Sequence, residues 1–266
     1  MSSMDDANGD TSRNASRDAS RDTGPDAMLP EAHELGLTTL VHKQRVTSTM
    51  DEAHRLAERG AGAGTCVVAD EQTAGRGRGG RSWSSADQGG VWLTVLERPV
   101  DSAAIDVLSL RLGLAIARVL EQFEEAGEPI RLKWPNDVYR GNGKIAGVLV
   151  EARWRQQTIE WVAIGVGINL RQPEDIDGAA NLPGSVTRNT LLRALVPALR
   201  NAARATGALT DDEMTAWAAR DLARGRRAIE PAVGIVAGIT ETGAIVIADA
   251  ASGESREVRS GSLRLE

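Results

Sequence analysis

The chain is predicted to be an α+β protein: a mixed, largely antiparallel sheet packed with helices, followed by a small C-terminal β-barrel. Three patterns carry that expectation. Between Ser102 and Gly127, Ile105, Leu108, Leu112, Ile116, Val119 and Phe123 recur at helical spacing, the mark of a long core helix. "GNG" at 141–143 reads as a hairpin turn, and the apolar runs "KIAGVLVEARW" and "TIEWVAIGVGINL" after it read as adjacent strands. From residue 229 to 266 the chain holds only short strand-like runs with turns at "TETG" and "AASGE".

The elements follow in order. Residues 1–34 are a polar tail of Ser, Asp, Arg and Asn with too little apolar surface to offset ordering entropy, so disorder is expected there. A main domain is expected over 35–225 and a second, small domain over 229–266. "LVHKQRV" suits a strand, and "STMDEAHRLAERG" a helix capped by Ser48 or Thr49 and ended by Gly60. "TCVVADEQ" and "GVWLTVLERP" are strands on either side of a Gly/Arg loop, the second stopped by Pro99. "IRLKWPNDVY" reads as a strand broken by Pro135, and helices are expected near 185–206 and 211–223. The acids of 121–128 read as a solvated helix end, and Trp134 and Trp161 as core.

Composition narrows the chemistry. The chain has 266 residues and a formal charge of −6, which argues against a nucleic acid held by bulk electrostatics. A single cysteine, Cys66, excludes an intrachain disulfide and a Cys-based zinc site. No apolar run is long enough to span a bilayer and the N-terminus has no signal-peptide core, so a cytoplasmic protein without a membrane partner is expected. Histidine occurs only at His33, His42 and His54, so any imidazole chemistry would have to use one of these. The chain has 31 basic residues, yet the only lysines are Lys43, Lys133 and Lys144. Two of them fall in one short window. A compact ammonium is not replaceable by a planar guanidinium at a tight site, which makes Lys133 and Lys144 candidates for function.

The loop "AGRGRGGRSW" at 74–83 poses the sharpest question. Gly75, Gly77 and Gly80 spell a dinucleotide-binding G-x-G-x-x-G, and Glu97 lies about 20 residues on, as that fingerprint asks. But no helix follows to receive a pyrophosphate; the chain leads into a strand. An RGG-type tether would be long and repeated, and this one occurs once between strands. Anion capture fits better. Gly75 and Gly77 let backbone N–H groups approach a phosphate, and Arg76, Arg78 and Arg81 can add bidentate contacts. Such a loop suits a lid that a ligand orders.

At this point the residues resemble a family. "TSTMDEA", "ADEQTAGRGRGGRSW", "LKWPNDVY", "GKIAGVLVE" and "IGVGINL" stand in the order and spacing found in biotin protein ligases, and the C-terminal "GIVAGITETGAIVI…GSLRL" is similar to that family's SH3-like domain. The resemblance implies a catalytic domain of the class II aminoacyl-tRNA synthetase/biotin ligase type and covers residues 38–266. It also implies an activity: biotin is activated with ATP and Mg2+ as biotinyl-5′-AMP, then passed to a lysine of a biotin carboxyl carrier protein. By the same resemblance Lys144 contacts biotin's carboxylate and the α-phosphate, Arg76 and Arg78 order the flap over both ligands, and Arg81 and Asn136 join them at ATP. Ser48, Thr49 and Gln72 hydrogen-bond biotin. Gly75, Gly77, Gly147, Gly165 and Gly167 give it close backbone approaches. Trp83 and Asn169 match positions at the adenine, and Asp137 an acid that orients or deprotonates the incoming lysine; Lys133 is expected to pair with a carboxylate outside the reacting centre. Metal ligands are not specified. The family's sheet edge can form a homodimer.

One departure is Met50, where the family often has Asn after "ST". Only a polar tail precedes Leu37, which reads as the short form without a DNA-binding module. Two alternatives stand: a lipoate or octanoate ligase of the same fold, and a biotin-sensing transcriptional regulator.

Overall fold

The computed structural model describes residues 28–98, 101–125, 127–173, 176–249 and 252–266. Most of the expected tail, residues 1–27, and the expected strand stop at Pro99 lie outside them. The end of that tail is packed rather than loose. Pro30 is buried, Ala32–Leu35 forms a 3-10 helix, and Glu34 pairs with Arg193. Apolar anchors at Pro30 and Leu35 give this stretch burial that its polar neighbours lack.

The strands of the main body are β1 (Thr39–Val46), β2 (Thr65–Gln72), β3 (Gly75–Arg76), β4 (Ser82–Trp83), β5 (Gly90–Glu97), β6 (Ile130–Lys133), β7 (Asp137–Arg140), β8 (Gly143–Arg155) and β9 (Thr158–Asn169). Its helices are α1 (Thr49–Glu58), α2 (Ala103–Glu121), α3 (Arg188–Ala203) and α4 (Asp211–Ala218). Seven strands make one sheet in the order β1-β2-β5-β9-β8-β7-β6. Only β1 and β2 pair in parallel; every other neighbour is antiparallel. The sheet is mixed and largely antiparallel, as expected. β3 and β4 form a separate two-stranded hairpin, the flap.

Alternation along the central strands divides the sheet into two unlike faces. Val91, Leu93 and Val95 of β5 and Val162, Ile164, Val166 and Ile168 of β9 join one large core with α2 and α3. On the other face Leu96, Trp161 and Ala163 pack with Met50, Ala53 and Ala57 of α1 in a small cluster. Beyond it that second face runs out of side chains. Gly165 and Gly167 follow on β9, and Gly167 pairs across the ladder with Gly147 of β8. The sheet is therefore shallow there, and α1 covers only part of it.

The helices end where their chemistry changes. Ser48 caps α1 as expected, its side chain accepting from the Met50 N–H. α2 stops at Glu121 rather than running to Gly127, and Glu121, Glu125 and Glu128 are exposed, as a solvated helix end requires; three of the acids nonetheless have partners. Glu124 takes a two-point contact from Arg140, Glu121 takes one from Arg220, and Glu125 accepts from Ser185. α4 stops at Ala218 because residues 220–222 pair with the outer edge of β6 instead. The "IRLKWPNDVY" segment is not one broken strand but a hairpin, β6 against β7, with Trp134, Pro135 and Asn136 at the turn. Proline has no N–H to offer a ladder, so a turn is where it fits.

The C-terminal strands are β10 (Arg227–Glu230), β11 (Gly234–Ile239), β12 (Ile245–Ala248), β13 (Ser255–Val258) and β14 (Arg264–Leu265). They form a five-stranded antiparallel sheet, β13-β12-β11-β10-β14. Its buried Val236, Ile245, Ile247 and Leu263 belong to the same continuous core as the main body. The Trp134 indole N–H donates to the Gly243 carbonyl at 3.0 Å, fastening the β6–β7 turn to this sheet.

Candidate active site

The shallow part of the second face becomes a cavity. Its walls are the start of α1, the glycine-bearing stretches of β8 and β9, the flap, the β6–β7 turn, and Ser262 with Leu263 from the loop just before β14. Of the residues singled out in the sequence, Ser48, Thr49, Gln72, Arg76, Gly77, Arg78, Arg81, Trp83, Asn136, Asp137, Lys144, Gly147, Gly165 and Gly167 all line it. Gly75 and Asn169 do not. Gly75 is buried at the flap's base, where a Cβ would come within 2.5 Å of the Trp83 carbonyl, so its smallness serves the hairpin itself. Asn169 spends its amide on the Ala180 carbonyl and fastens the loop after β9. None of the three histidines is in the cavity wall.

One end of the cavity is neutral and internally bonded. Thr49 donates to Gln72 Oε1 twice, from its N–H at 2.8 Å and its hydroxyl at 3.0 Å. Thr94 donates to the Thr49 hydroxyl at 2.9 Å, and Gln72 Nε2 donates to Ser85 at 2.8 Å. Each polar side chain here fixes the next, so their directions are set in advance. Met50 is buried beside them, and a Cβ on Gly165 would meet its Sδ-methyl at 2.7 Å. The loss of a polar group at Met50 is thus a gain of apolar packing against Gly165.

The other end is cationic. Arg76, Arg78, Arg81, Lys133 and Lys144 line the cavity against a single carboxylate, Asp137. Lys144 sits 2.6 Å from Asp137 and 5.1 Å from the Trp83 ring. Lys133 corrects an expectation: it pairs with no carboxylate among the described residues but turns into the same cavity, over the Tyr139 ring at 5.8 Å. Burial draws its pKa below the usual lysine value; Asp137 opposes the drop, and Lys144 adds to it. Burial likewise lowers Arg78, again against Asp137. Arg78 reaches Asn136 at 3.5 Å, while the Asn136 amide donates to the Val148 carbonyl at 2.7 Å and so braces the turn. A wall with this excess of positive charge is built for an anion.

The flap joins the two ends. Its Trp83 indole lies across the glycine pair, where a Cβ on Gly167 or Gly147 would meet the ring at 2.5 or 2.8 Å. The indole Nε1 is buried and has no hydrogen-bond partner among the described residues. Arg81 donates to Ser262 at 3.0 Å, which brings the C-terminal sheet to the cavity rim. Arg76 lines the cavity but spends one guanidinium nitrogen on Asp51 at 2.9 Å and on Glu151 at 3.0 Å. Sequence reasoning missed Thr94, Ser262 and Leu263 as cavity residues, and singled out Lys133 but placed it outside the reacting centre. For Thr94 a signal existed: it is the one hydroxyl in the fully buried run "VWLTVLE".

The fold and the two-ended cavity define a class of protein. Residues 42–169 match the sequence model of the Biotin/lipoate A/B protein ligase family. Particular relatives sharpen this. The chain is 37% identical over 150 residues to the biotin–[acetyl-CoA-carboxylase] ligase of Paracoccus denitrificans, 55% of this chain and 62% of that protein. It is 39% identical over 138 residues to the bifunctional ligase/repressor BirA of Bacillus subtilis, 51% of this chain and 42% of that protein. The matches therefore span less than two thirds of these relatives' own length. Among solved structures, the biotin protein ligase from Aquifex aeolicus in complex with biotin and ATP superposes with a TM-score of 0.67 and 28% identity, covering 86% of this chain and 99% of that one.

Proposed function

We propose that this protein is an ATP-dependent biotin ligase that makes biotinyl-5′-AMP and passes biotin to a lysine of a biotin carboxyl carrier protein, the carrier part of an acetyl-CoA carboxylase. The observation that carries this reading is one cavity with a preformed neutral end and a cation-rich end, in a chain related to biotin ligases. The neutral end, with Ser48, Thr49, Gln72 and Thr94, suits biotin's polar ureido ring beside an apolar wall. The cationic end suits a triphosphate.

The reaction follows from that division. A carboxylate oxygen of biotin attacks the α-phosphorus, the bond to the β-phosphate oxygen breaks, and pyrophosphate leaves. Two anions must meet for this, and Lys144 lies where it can face both once it leaves Asp137. It stabilises the charge that builds between them. Arg78, Arg81 and Lys133 hold the phosphates, and Asn136 braces the turn under them. The flap excludes water from the mixed anhydride. A carrier lysine amine then attacks the biotinyl carbonyl, its proton passes to Asp137, and AMP leaves with the electron pair of the broken bond. ATP would bring Mg2+ with it. Among the described residues no group of three His, Cys, Asp or Glu stands together, and Asp137 is the only carboxylate in the cavity wall. That donor set fits an ion carried on phosphate oxygens.

The remaining parts of the reading are coarser. Residues 35–225 are taken as the catalytic domain and 229–266 as its SH3-like companion. The site is cytoplasmic by proposal; among the described residues no helix is long and apolar enough to cross a membrane. A homodimer would use the β1 edge of the sheet, since residues 220–222 cover the β6 edge. The test is isotope exchange between pyrophosphate and ATP. Exchange that requires biotin, and that lipoate does not support, is expected; exchange driven by lipoate alone would replace this reading with the lipoate one.

A further inference from the structure

His54 lies outside the cavity, and adenylation as described makes no use of it, yet it is tied into the molecule at both ring nitrogens. The Trp161 indole N–H donates to His54 Nδ1 at 2.9 Å. An indole N–H can only donate, so Nδ1 is bare and the ring proton of the neutral imidazole sits on Nε2. That nitrogen is 2.9 Å from Glu151 Oε2. The same carboxylate oxygen receives the flap's Arg76 at 3.0 Å. Trp161 is buried and belongs to the small cluster under α1, so the chain Trp161–His54–Glu151–Arg76 runs from rigid core to flap. Asp51 gives Arg76 a second carboxylate but has no such backing.

We propose that His54 is a positioning residue for the flap. Held in one tautomer by Trp161, it fixes Glu151, and Glu151 latches Arg76 and the hairpin that carries it against the body. Arg76 then serves the flap's closure, not phosphate binding. The reasoning extends the biotin ligase reading, because a latch matters to a reaction that must exclude water, but the latch itself is read from contacts that involve no ligand.

The flap contains Arg76, Arg78 and Arg81, each a trypsin site, so its opening can be timed without biotin or ATP. Cleavage at Arg78 and Arg81 would be followed by mass spectrometry in the intact protein, with cleavage at Arg256 in the C-terminal sheet as the internal reference. In His54→Leu, flap cleavage is expected to quicken roughly threefold or more, the scale of one partly exposed charged contact, with Arg256 unchanged. In His54→Gln, whose amide can donate to Glu151 from nearly the same place, the rate should return close to that of the native protein. Native-like flap cleavage in His54→Leu, no rescue by Gln, or equal acceleration at Arg256 would each overturn the proposal. Biotin-dependent exchange, measured on the same variants, should show a raised KM with kcat nearly unchanged. If the native protein shows no biotin-dependent exchange, the ligase reading fails while the cleavage result still decides the latch.

Discussion

The two ends of the cavity solve opposite problems. At the Thr49–Gln72–Thr94 end every named polar side chain already has a partner inside the protein, and the geometry is finished before any ligand arrives. At the Lys133–Lys144–Arg78 end four cations, Arg78, Arg81, Lys133 and Lys144, face one carboxylate, and burial lowers the pKa of both Lys133 and Arg78. The neutral end is preorganised for shape and hydrogen bonding. The cationic end is left unfinished, and an anion completes it. A reaction that joins a carboxylate to a phosphate needs both, side by side.

Lys144 is the point where the ends meet, and its loss should have the largest effect. Lys144→Ala is expected to slow single-turnover formation of biotinyl-5′-AMP by roughly 10²–10³-fold, the usual scale for one preorganised electrostatic donor. Lys144→Arg should recover little, because the wider guanidinium would displace one of the two anions. Should Lys144→Arg run within about threefold of the native rate, less than half of the 1.4 kcal/mol that a tenfold change represents, Lys144 would not be the bridge.

The neutral end is expected to respond differently. Gln72→Leu leaves the Thr49 and Ser85 hydrogen bonds without their shared partner. Biotin affinity should fall roughly tenfold or more, the range for buried polar groups left unpaired, while pyrophosphate affinity holds. Calorimetry with each ligand checks this, and an equal loss of both would mean that the two ends are not separable.

Much of this arrangement was legible in the sequence, and what escaped has a common cause. Alternation and helical spacing gave the strands of the main sheet and the long helix α2, and two lysines in an arginine-rich chain pointed to one wall of the cavity. Local pattern could not show that "IRLKWPNDVY" doubles back, and that hairpin is what turns Lys133 inward beside Lys144. Nor could it show Thr94 meeting Thr49, Arg81 meeting Ser262, or Trp161 orienting His54. Each of these contacts joins residues at least 45 positions apart, so they exist only once the sheet has assembled. The exposed acids at the end of α2 were read correctly as solvated, but the pairing of Glu124 with Arg140 of β7 and of Glu121 with Arg220 after α4 has no local signal.

The division of the cavity is tested most directly by titrating biotin and pyrophosphate separately into the native protein at about 0.1 M and about 1 M salt, over which the Debye length shrinks from about 10 Å to about 3 Å. Biotin, with one carboxylate and its ring in the preformed end, should keep its affinity within about threefold, whereas pyrophosphate should lose roughly tenfold or more as its charge contacts are screened. Lys133→Met should weaken pyrophosphate at the lower salt and leave biotin alone. Equal salt dependence for the two ligands, or a pyrophosphate affinity that ignores both salt and Lys133, would contradict the account.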